Sequence, residues 1–185
     1  MFDSRYGNTE KIAADIAEGL KQSQIEVACF RTTEVDLDKL RNYDLVAVGG
    51  PTEIHRASAL MRDFLSKLEH VDLKGKYGFA FDTKLNSWWA GDASNAIEHT
   101  LKSAGAQILM PRSSAFVIRP PKEELKLTGA ETGETREERK MRKSEEKEIK
   151  RASAVLEEGM EGKFEQIGLE LGGALVQTQK ILQTP

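Results

Sequence analysis

A short polar segment near the start of the chain carries the residue types of an anion-binding loop. Residues 3–10 read DSRYGNTE and lead into an apolar helical repeat of Ile12, Ala13, Ile16, Ala17 and Leu20. The hydroxyls of Ser4 and Thr9 can donate to phosphate oxygens, and Gly7 lets the backbone turn closely around an anion. Free N–H groups and the dipole at a helix start attract an anion further. Spacing alone leaves two interpretations open, a phosphate cradle or a plain helix start capped by Asn8 or Thr9.

The sequence gives no support for several other kinds of chemistry. It has no G-x-x-x-x-G-K-[ST] motif and no G-x-G-x-x-G motif, which argues against nucleoside triphosphate hydrolysis and against the standard dinucleotide site. We find no Ser-His-Asp, Cys-His or metal-ligand cluster. The single cysteine cannot form an internal disulfide, so we expect a reduced, cytoplasmic setting, with Cys29 buried and inert in a predicted strand.

Composition bounds the class of protein. The 185 residues, 39% of them hydrophobic, suit one domain with a sizeable core. A formal net charge of -3 predicts no general affinity for nucleic acid. No apolar run approaches the roughly 18 residues that a membrane span needs, and the N-terminus has no apolar signal region. We therefore expect neither a nucleic acid nor a membrane as a partner.

Strand and helix patterns alternate along the rest of the chain. Strand-like apolar runs occupy residues 25–30, 45–48, 77–81 and 108–118, the last of them broken by Pro111. This alternation predicts an α/β fold with parallel strands and with helices on both faces of the sheet. Ligands bind at the carboxyl ends of such strands, so the loops at 3–9, 49–55 and 82–91 are expected to gather at one edge.

The polar segment at 3–13 resembles the FMN-phosphate signature of the flavodoxin family, roughly T/S-x-T/S-G-x-T after the first strand. Ser4, Gly7 and Thr9 match this pattern, and Tyr6 keeps a hydroxyl at the middle position. The resemblance therefore favours the phosphate cradle over the plain helix start.

Two later motifs extend the resemblance. The sequence VGGPT at 48–52 resembles the strand and loop that contact one side of the flavin ring in flavodoxins. The sequences FDTK at 81–84 and WWAGDA at 88–93 resemble the third flavin loop and the helix after it. The three motifs follow one another in family order and are together much more specific than any one alone.

The resemblance implies a noncovalently bound FMN at the carboxyl ends of the central strands. Its phosphate would be held by Ser4, Arg5, Tyr6, Gly7, Asn8 and Thr9. One edge of the flavin ring would be lined by Pro51, Thr52, Glu53 and Ile54. The third loop would contribute Asp82, Thr83, Lys84, Trp88, Trp89 and Gly91. An aromatic face on the flavin excludes water, and which of the two tryptophans stacks there stays open.

The implied function is that of an FMN-binding electron carrier that shuttles electrons between redox partner proteins. One alternative is an FMN-dependent NAD(P)H or quinone oxidoreductase, whose pocket over the flavin would be lined by Trp88, Trp89 and His55. In the other interpretation His55 lies in an exposed loop. A flavin-free interaction module is a further alternative, because only Met1 and Phe2 precede the loop and the family's first strand is largely missing from this chain.

The implied fold is a doubly wound parallel sheet with strand order 2-1-3-4-5, in a single domain over 1–185. A charged insertion at about 120–156 precedes a C-terminal helix at about 157–182. Within it, 13 of the 17 residues at 134–150 are charged, seven basic and six acidic. This composition predicts a solvated helix with ion pairs Glu138–Arg142 and Glu146–Lys150. The segment is either a surface insertion or a candidate for contact with a partner protein.

Overall fold

The computed structural model describes residues 1–53, 55–87, 89–120 and 134–183. Helices α1 to α5 span Asn8–Gln22, Ala59–Leu68, Ala93–Ser103, Arg136–Ala152 and Met160–Gln183, and a 3-10 helix spans Leu37–Asn42. Strands β1 to β6 span Leu45–Glu53, Arg56–Ala57, Tyr77–Leu85, Gln107–Ile108, Ser113–Ile118 and Val155–Leu156. No helix in these described ranges is long and apolar enough to cross a membrane.

The sheet confirms the predicted α/β class. Its strands lie in the order β2-β1-β3-β5-β6, with β4 also paired to β3. The three central strands β1, β3 and β5 are parallel, while β2 and β6 are antiparallel additions at the two ends. Alternating side chains of β3 serve two cores: Phe79 and Phe81 pack with α1 and α5, and Ala80 packs with α2 and α3. Helices therefore cover both faces, as predicted.

Local capping explains where the helices begin. Ser58 opens α2 by accepting a hydrogen bond from the Met61 N–H at 3.0 Å, and Asp92 opens α3 by accepting from the Asn95 N–H at 3.2 Å. Thr135 and Glu138 form a reciprocal capping box at the start of α4. The charged segment is therefore helical as predicted, and it is separated from α5 by β6, a short strand that the sequence did not indicate.

The N-terminal residues lie beside β1, where the resemblance places a first strand. Phe2 forms parallel bridges to Arg31 on one side and to Gly49 of β1 on the other. Backbone hydrogen bonds of 3.0 Å run from Phe2 to Phe30 and from Asp3 to Gly49. The first segment therefore has neighbours on both sides but forms only isolated bridges, and the observed strand order differs in part from the predicted order 2-1-3-4-5. The predicted strand at 25–30 is wrong, because most of its length has no strand beside it with which to pair.

A groove lies beside this short first segment. It has a volume of about 600 Å³ and is lined largely by apolar side chains of α1, α5, β1 and residues 25–30. The α-amino group of Met1 donates to the Ala47 carbonyl at 2.7 Å, and burial lowers the pKa of that amine. Cys29 is exposed here, which corrects the expectation that it is buried, since residues 25–30 form no regular strand.

Helices α1 and α5 approach each other closely through glycines. A Cβ atom added at Gly19 would lie 2.0 Å from the Glu165 carbonyl oxygen, and one added at Gly168 would lie 2.3 Å from the Ile16 carbonyl oxygen. Real Cβ contacts are not that short, so the two helices can pack at this distance only with glycine at both positions. Glycines in α5 are thus packing features as well as weak helix formers.

Replacing Gly168 by Ala is expected to destabilise the fold by about 2–3 kcal/mol, because α1 and α5 must separate to admit the methyl group. Gly173, on the same helix, has no atom within 4 Å of its added Cβ, so Gly173→Ala should instead stabilise by about 0.5–1 kcal/mol through helix propensity. Urea unfolding of both variants measures the difference. Equal effects at the two positions would contradict the close helix contact.

Asp15 on α1 faces two carboxylates of α5. Burial and the nearby charges of Glu161 and Glu165 raise the pKa of Asp15 to about 6, and Lys11 partly opposes them. A carboxyl whose pKa is higher in the folded state than its unfolded value of about 3.9 binds more protons when folded, so its contribution to stability falls as pH rises from about 4 to 6.

Asp15→Asn removes this titration and is therefore expected to raise the unfolding midpoint at pH 7.5, with little change at pH 4. The gain should stay below about 1 kcal/mol, since Asp15 is only partly buried and solvent screens its charge. Thermal unfolding at both pH values measures the effect, with Asp72→Asn in an exposed turn as the matched control. A gain that is the same at both pH values would argue against a charge effect.

Candidate functional site

A solvent-open cleft of about 280 Å³ lies at the carboxyl ends of the parallel strands. Residues from all three predicted loops line it: Ser4, Arg5, Tyr6, Asn8, Thr9, Pro51, Thr52, Glu53, Thr83, Lys84 and Trp89. His55 lines it too, beside Trp89. The three loops therefore gather at one edge, as the alternating sequence pattern predicted.

Three predicted site residues, Gly7, Asp82 and Gly91, are not among those that line the cleft, although each supports a loop that does. Gly7 lies between Tyr6 and Asn8, which both line it. Ile54 and Trp88 lie outside the described residues, and which of the two tryptophans stacks on the ring stays open. Direct contact of the cofactor with the lining residues stays a prediction.

The first loop ends in a helix start without a side-chain cap. Gly7 is the N-cap residue, with a left-handed φ of 85°, and no side chain accepts a hydrogen bond there. The expectation that Asn8 or Thr9 caps α1 is thus wrong, because glycine adopts this conformation without a Cβ clash. Within the described ranges, no group accepts a hydrogen bond from the N–H groups of residues 6–9.

Hydroxyl contacts fix the shape of this loop. The Ser4 hydroxyl accepts from the Glu10 N–H at 3.3 Å, and the Ser4 carbonyl accepts from Arg31 at 3.1 Å. The buried hydroxyls of Thr9 and Thr83 lie 2.8 Å apart in a hydrogen bond, which ties the first turn of α1 to the end of β3. The free N–H groups are therefore held on a rigid base, which suits an anion.

Asp82 connects neighbouring elements of the fold through buried hydrogen bonds. It is fully buried, and its Oδ2 accepts hydrogen bonds from the Thr52 hydroxyl at 2.6 Å and from the N–H groups of Ala93 at 3.0 Å and Ser94 at 3.4 Å. Burial raises the pKa of the Asp82 carboxyl, although the hydroxyls of Ser114 and Thr52 oppose this rise. Asp82 thus joins the ends of β1 and β3 to the start of α3 and does not face the cleft.

The second and third loops meet at the mouth of the cleft. His55 has a left-handed φ of 70° and bridges to Gly91, and a Cβ atom at Gly91 would lie 2.4 Å from the His55 Cα. Only glycine fits this contact. The Trp89 ring is 51% exposed and meets the His55 ring edge to face, with the ring centroids 6.0 Å apart. An exposed aromatic pair therefore borders the opening.

The inserted helix α4 reaches the first loop. Glu148 accepts a hydrogen bond from the Tyr6 hydroxyl at 2.6 Å and pairs with Arg5 at 2.7 Å. Burial and this hydrogen bond raise the pKa of Tyr6. The Asn8 amide donates to the Ala154 carbonyl at 2.7 Å, just beyond the helix. The insertion is therefore part of the site and not a remote appendage.

The sequence analysis did not identify the basic residues of this cleft wall as site residues. Lys147, Lys150 and Arg151 from α4, and Arg119 after β5, line the cleft. The predicted ion pair Glu146–Lys150 does not form, and neither does Glu138–Arg142, because Arg142 pairs with Glu134 and Glu146 while Glu138 caps Thr135. The spacing of three and four between the basic residues was the available signal, but their position over the loop depends on tertiary structure.

The residues of the cleft fit a phosphate-bearing aromatic cofactor. Free N–H groups at a helix start and an adjacent cationic wall suit the phosphate, and an exposed indole suits a planar ring. No group of three or more metal-ligating side chains occurs in the described part of the chain. A doubly wound sheet with a cleft of this kind at the carboxyl ends of its strands is typical of nucleotide-binding α/β proteins.

The comparisons with known proteins agree with this class. The family model of flavodoxin matches residues 1–149, and the chain belongs to the flavodoxin family. The cofactor of that family is FMN, and its members carry electrons.

Individual relatives are distant. A flavodoxin of Maridesulfovibrio salexigens is 32% identical over 121 residues, which cover 59% of this chain and 78% of that protein. An uncharacterized protein of Methanocaldococcus jannaschii is 28% identical over 130 residues, 68% of this chain, and the match spans only 32% of that longer protein. A solved archaeal flavodoxin superposes with a TM-score of 0.60 at 20% identity, covering 95% of each chain, which supports the fold.

Proposed function

We propose that the chain, as a single flavodoxin-like domain over 1–185, binds FMN and carries electrons between redox partner proteins. The observation that best supports this is the row of N–H groups at residues 6–9 without an acceptor among the described residues, fixed at a helix start beside an exposed indole. A helix start of this kind selects an anion. Because the chain has a single cysteine, we also propose a reducing, cytoplasmic setting.

Each lining group has a separate task in this proposal. The N–H groups of residues 6–9 and the Ser4 hydroxyl hold the phosphate, while Pro51 and Thr52 border one edge of the ring. FMN supplies the reversible uptake and release of electrons. Trp89 covers part of the ring and excludes water from it. The Glu53 carboxylate disfavours added negative charge nearby, which lowers the reduction potential.

The carrier function is tested with the FMN-loaded protein under anaerobic conditions. We expect dithionite-reduced protein to pass its electrons to ferricyanide, while neither NADH nor NADPH is oxidised at steady state. Sustained NAD(P)H oxidation would instead identify an oxidoreductase whose pocket includes Trp89 and His55. A protein that stays colourless after FMN addition and gel filtration would favour the flavin-free interaction module.

A further inference from the structure

Helix α4 lies over the first loop although it buries no apolar side chain. None of its residues is buried, and Met141 and Ile149, its large apolar side chains, are exposed. Its contacts with the loop are polar: Glu148 binds Tyr6 and Arg5, and the following Ala154 carbonyl binds Asn8. Burial of apolar surface usually positions a surface helix, so polar contacts must position this one.

The face that α4 turns toward the cleft is cationic. Lys150 and Arg151 follow Lys147 by three and four residues, on one side of the helix, and all three line the cleft. Among the residues that the structure describes, none of the three has a carboxylate within ion-pair distance. Arg142, one to two turns earlier, is by contrast paired with both Glu134 and Glu146. The three cations of α4 that line the cleft are thus free of competing carboxylates among the described residues, as are Arg136, Arg139, Lys140 and Lys143 earlier in the helix.

The first loop itself offers little free positive charge to a phosphate. Arg5 is the cation of that loop, and its guanidinium is already paired with Glu148 at 2.7 Å. The backbone N–H groups of residues 6–9 carry only partial charges. A doubly charged phosphate at this helix start would therefore retain negative charge, which cations of α4 can compensate in addition to Lys84 and Arg119 of the same cleft.

We infer that α4 forms the outer wall of the phosphate site, where Lys147, Lys150 and Arg151 compensate the charge of the FMN phosphate and so select FMN over riboflavin. This inference rests on the proposed function. Its consequence is that the charged insertion is a cofactor-binding element of this chain. Glu148 has a positioning role, because its contacts with Arg5 and Tyr6 hold the cationic face of α4 against the loop.

Two variants with equal change of charge test the inference. The site variant is Lys147→Gln/Lys150→Gln/Arg151→Gln, and the control is Arg139→Gln/Lys140→Gln/Lys143→Gln, three exposed residues of α4 that do not line the cleft. Fluorescence titration with FMN and with riboflavin gives the dissociation constants, and far-UV circular dichroism checks that α4 is still helical.

We expect the site variant to bind FMN at least about 30-fold more weakly and with a smaller dependence on salt, since short-range ion pairs are lost. Its affinity for riboflavin, which has no phosphate, should stay within about threefold of the parent, as should both affinities of the control. Equal FMN losses in the two variants, or an unchanged FMN affinity in the site variant, would overturn the inference. If the unsubstituted protein bound riboflavin and FMN equally or neither at all, the proposed phosphate site itself would be wrong.

Discussion

Replacing Asn8 by Asp is expected to weaken FMN binding about 30- to 150-fold, the equivalent of about 2–3 kcal/mol. Asn8 lies in the first turn of α1 and lines the cleft beside the free N–H groups. Asp has nearly the same shape as Asn, but its charge would repel a phosphate at this position. An acidic residue in the first turn also favours the helix itself, which offsets the lost hydrogen bond to Ala154.

The loss of FMN affinity should therefore occur without a comparable loss of folding stability. Calorimetric titration should show the loss for FMN and not for riboflavin, while urea unfolding of the cofactor-free variant should stay within about 1 kcal/mol of the parent. Asn95→Asp is the matched control, because Asn95 occupies the first turn of α3 and does not line the cleft. An Asn8→Asp variant with the affinity of the parent would show that the phosphate does not lie at the start of α1.

Replacing Asp82 by Ala is expected to cost about 3 kcal/mol of folding free energy. The substitution leaves the Thr52 hydroxyl and the Ser94 N–H without their buried acceptor, and leaves the Ala93 N–H with the Thr52 hydroxyl alone, at 2.9 Å. Asp82→Asn keeps a carbonyl oxygen for these donors and removes a charge whose burial raises its pKa, so it should cost less than about 1 kcal/mol. The Oδ1 atom has no hydrogen-bond partner among the described residues, and the Ser114 hydroxyl that acts on this carboxyl can turn to accept from an amide.

Urea unfolding of the two variants at pH 7 measures this pair of effects. Asp72→Ala serves as the control, since Asp72 makes a similar bond to the Lys74 N–H, at 3.1 Å, in an exposed turn where water replaces the acceptor. Asp82→Ala and Asp72→Ala of equal stability would contradict the role of Asp82 as the buried anchor of α3. A large loss in Asp82→Asn would indicate that the negative charge itself is required.

The parts of the fold that were predictable are those that local patterns specify. The apolar run at 45–48 marks β1, and the run at 77–81 marks β3, because buried parallel strands have continuous apolar sequences. The order of strands and helices then brings the three loops to one edge without further information. For this reason most of the predicted site residues line the cleft, while their contact with a cofactor stays a prediction.

The parts that were not predictable depend on partners distant in sequence. Residues 25–30 have strand composition, but a strand also needs a neighbour, and only Phe2 lies beside that segment. Lys150 was expected to pair with Glu146 on its own helix, yet tertiary structure turns it toward the cleft. Asp82 follows an apolar run as a ligand-binding residue would, and only its three donors show that it anchors α3 instead.

The central claim is that this flavodoxin-family chain holds FMN through its phosphate at the start of α1. The most direct measurement is a titration of the purified, cofactor-free chain with FMN, followed by the quenching of flavin fluorescence, with riboflavin in parallel. We expect one FMN per chain, at least about tenfold tighter than riboflavin, because the N–H groups of residues 6–9 and the cations of α4 act on the phosphate alone. Unquenched FMN fluorescence at a saturating protein concentration, or equal affinity for the two flavins, would contradict the claim.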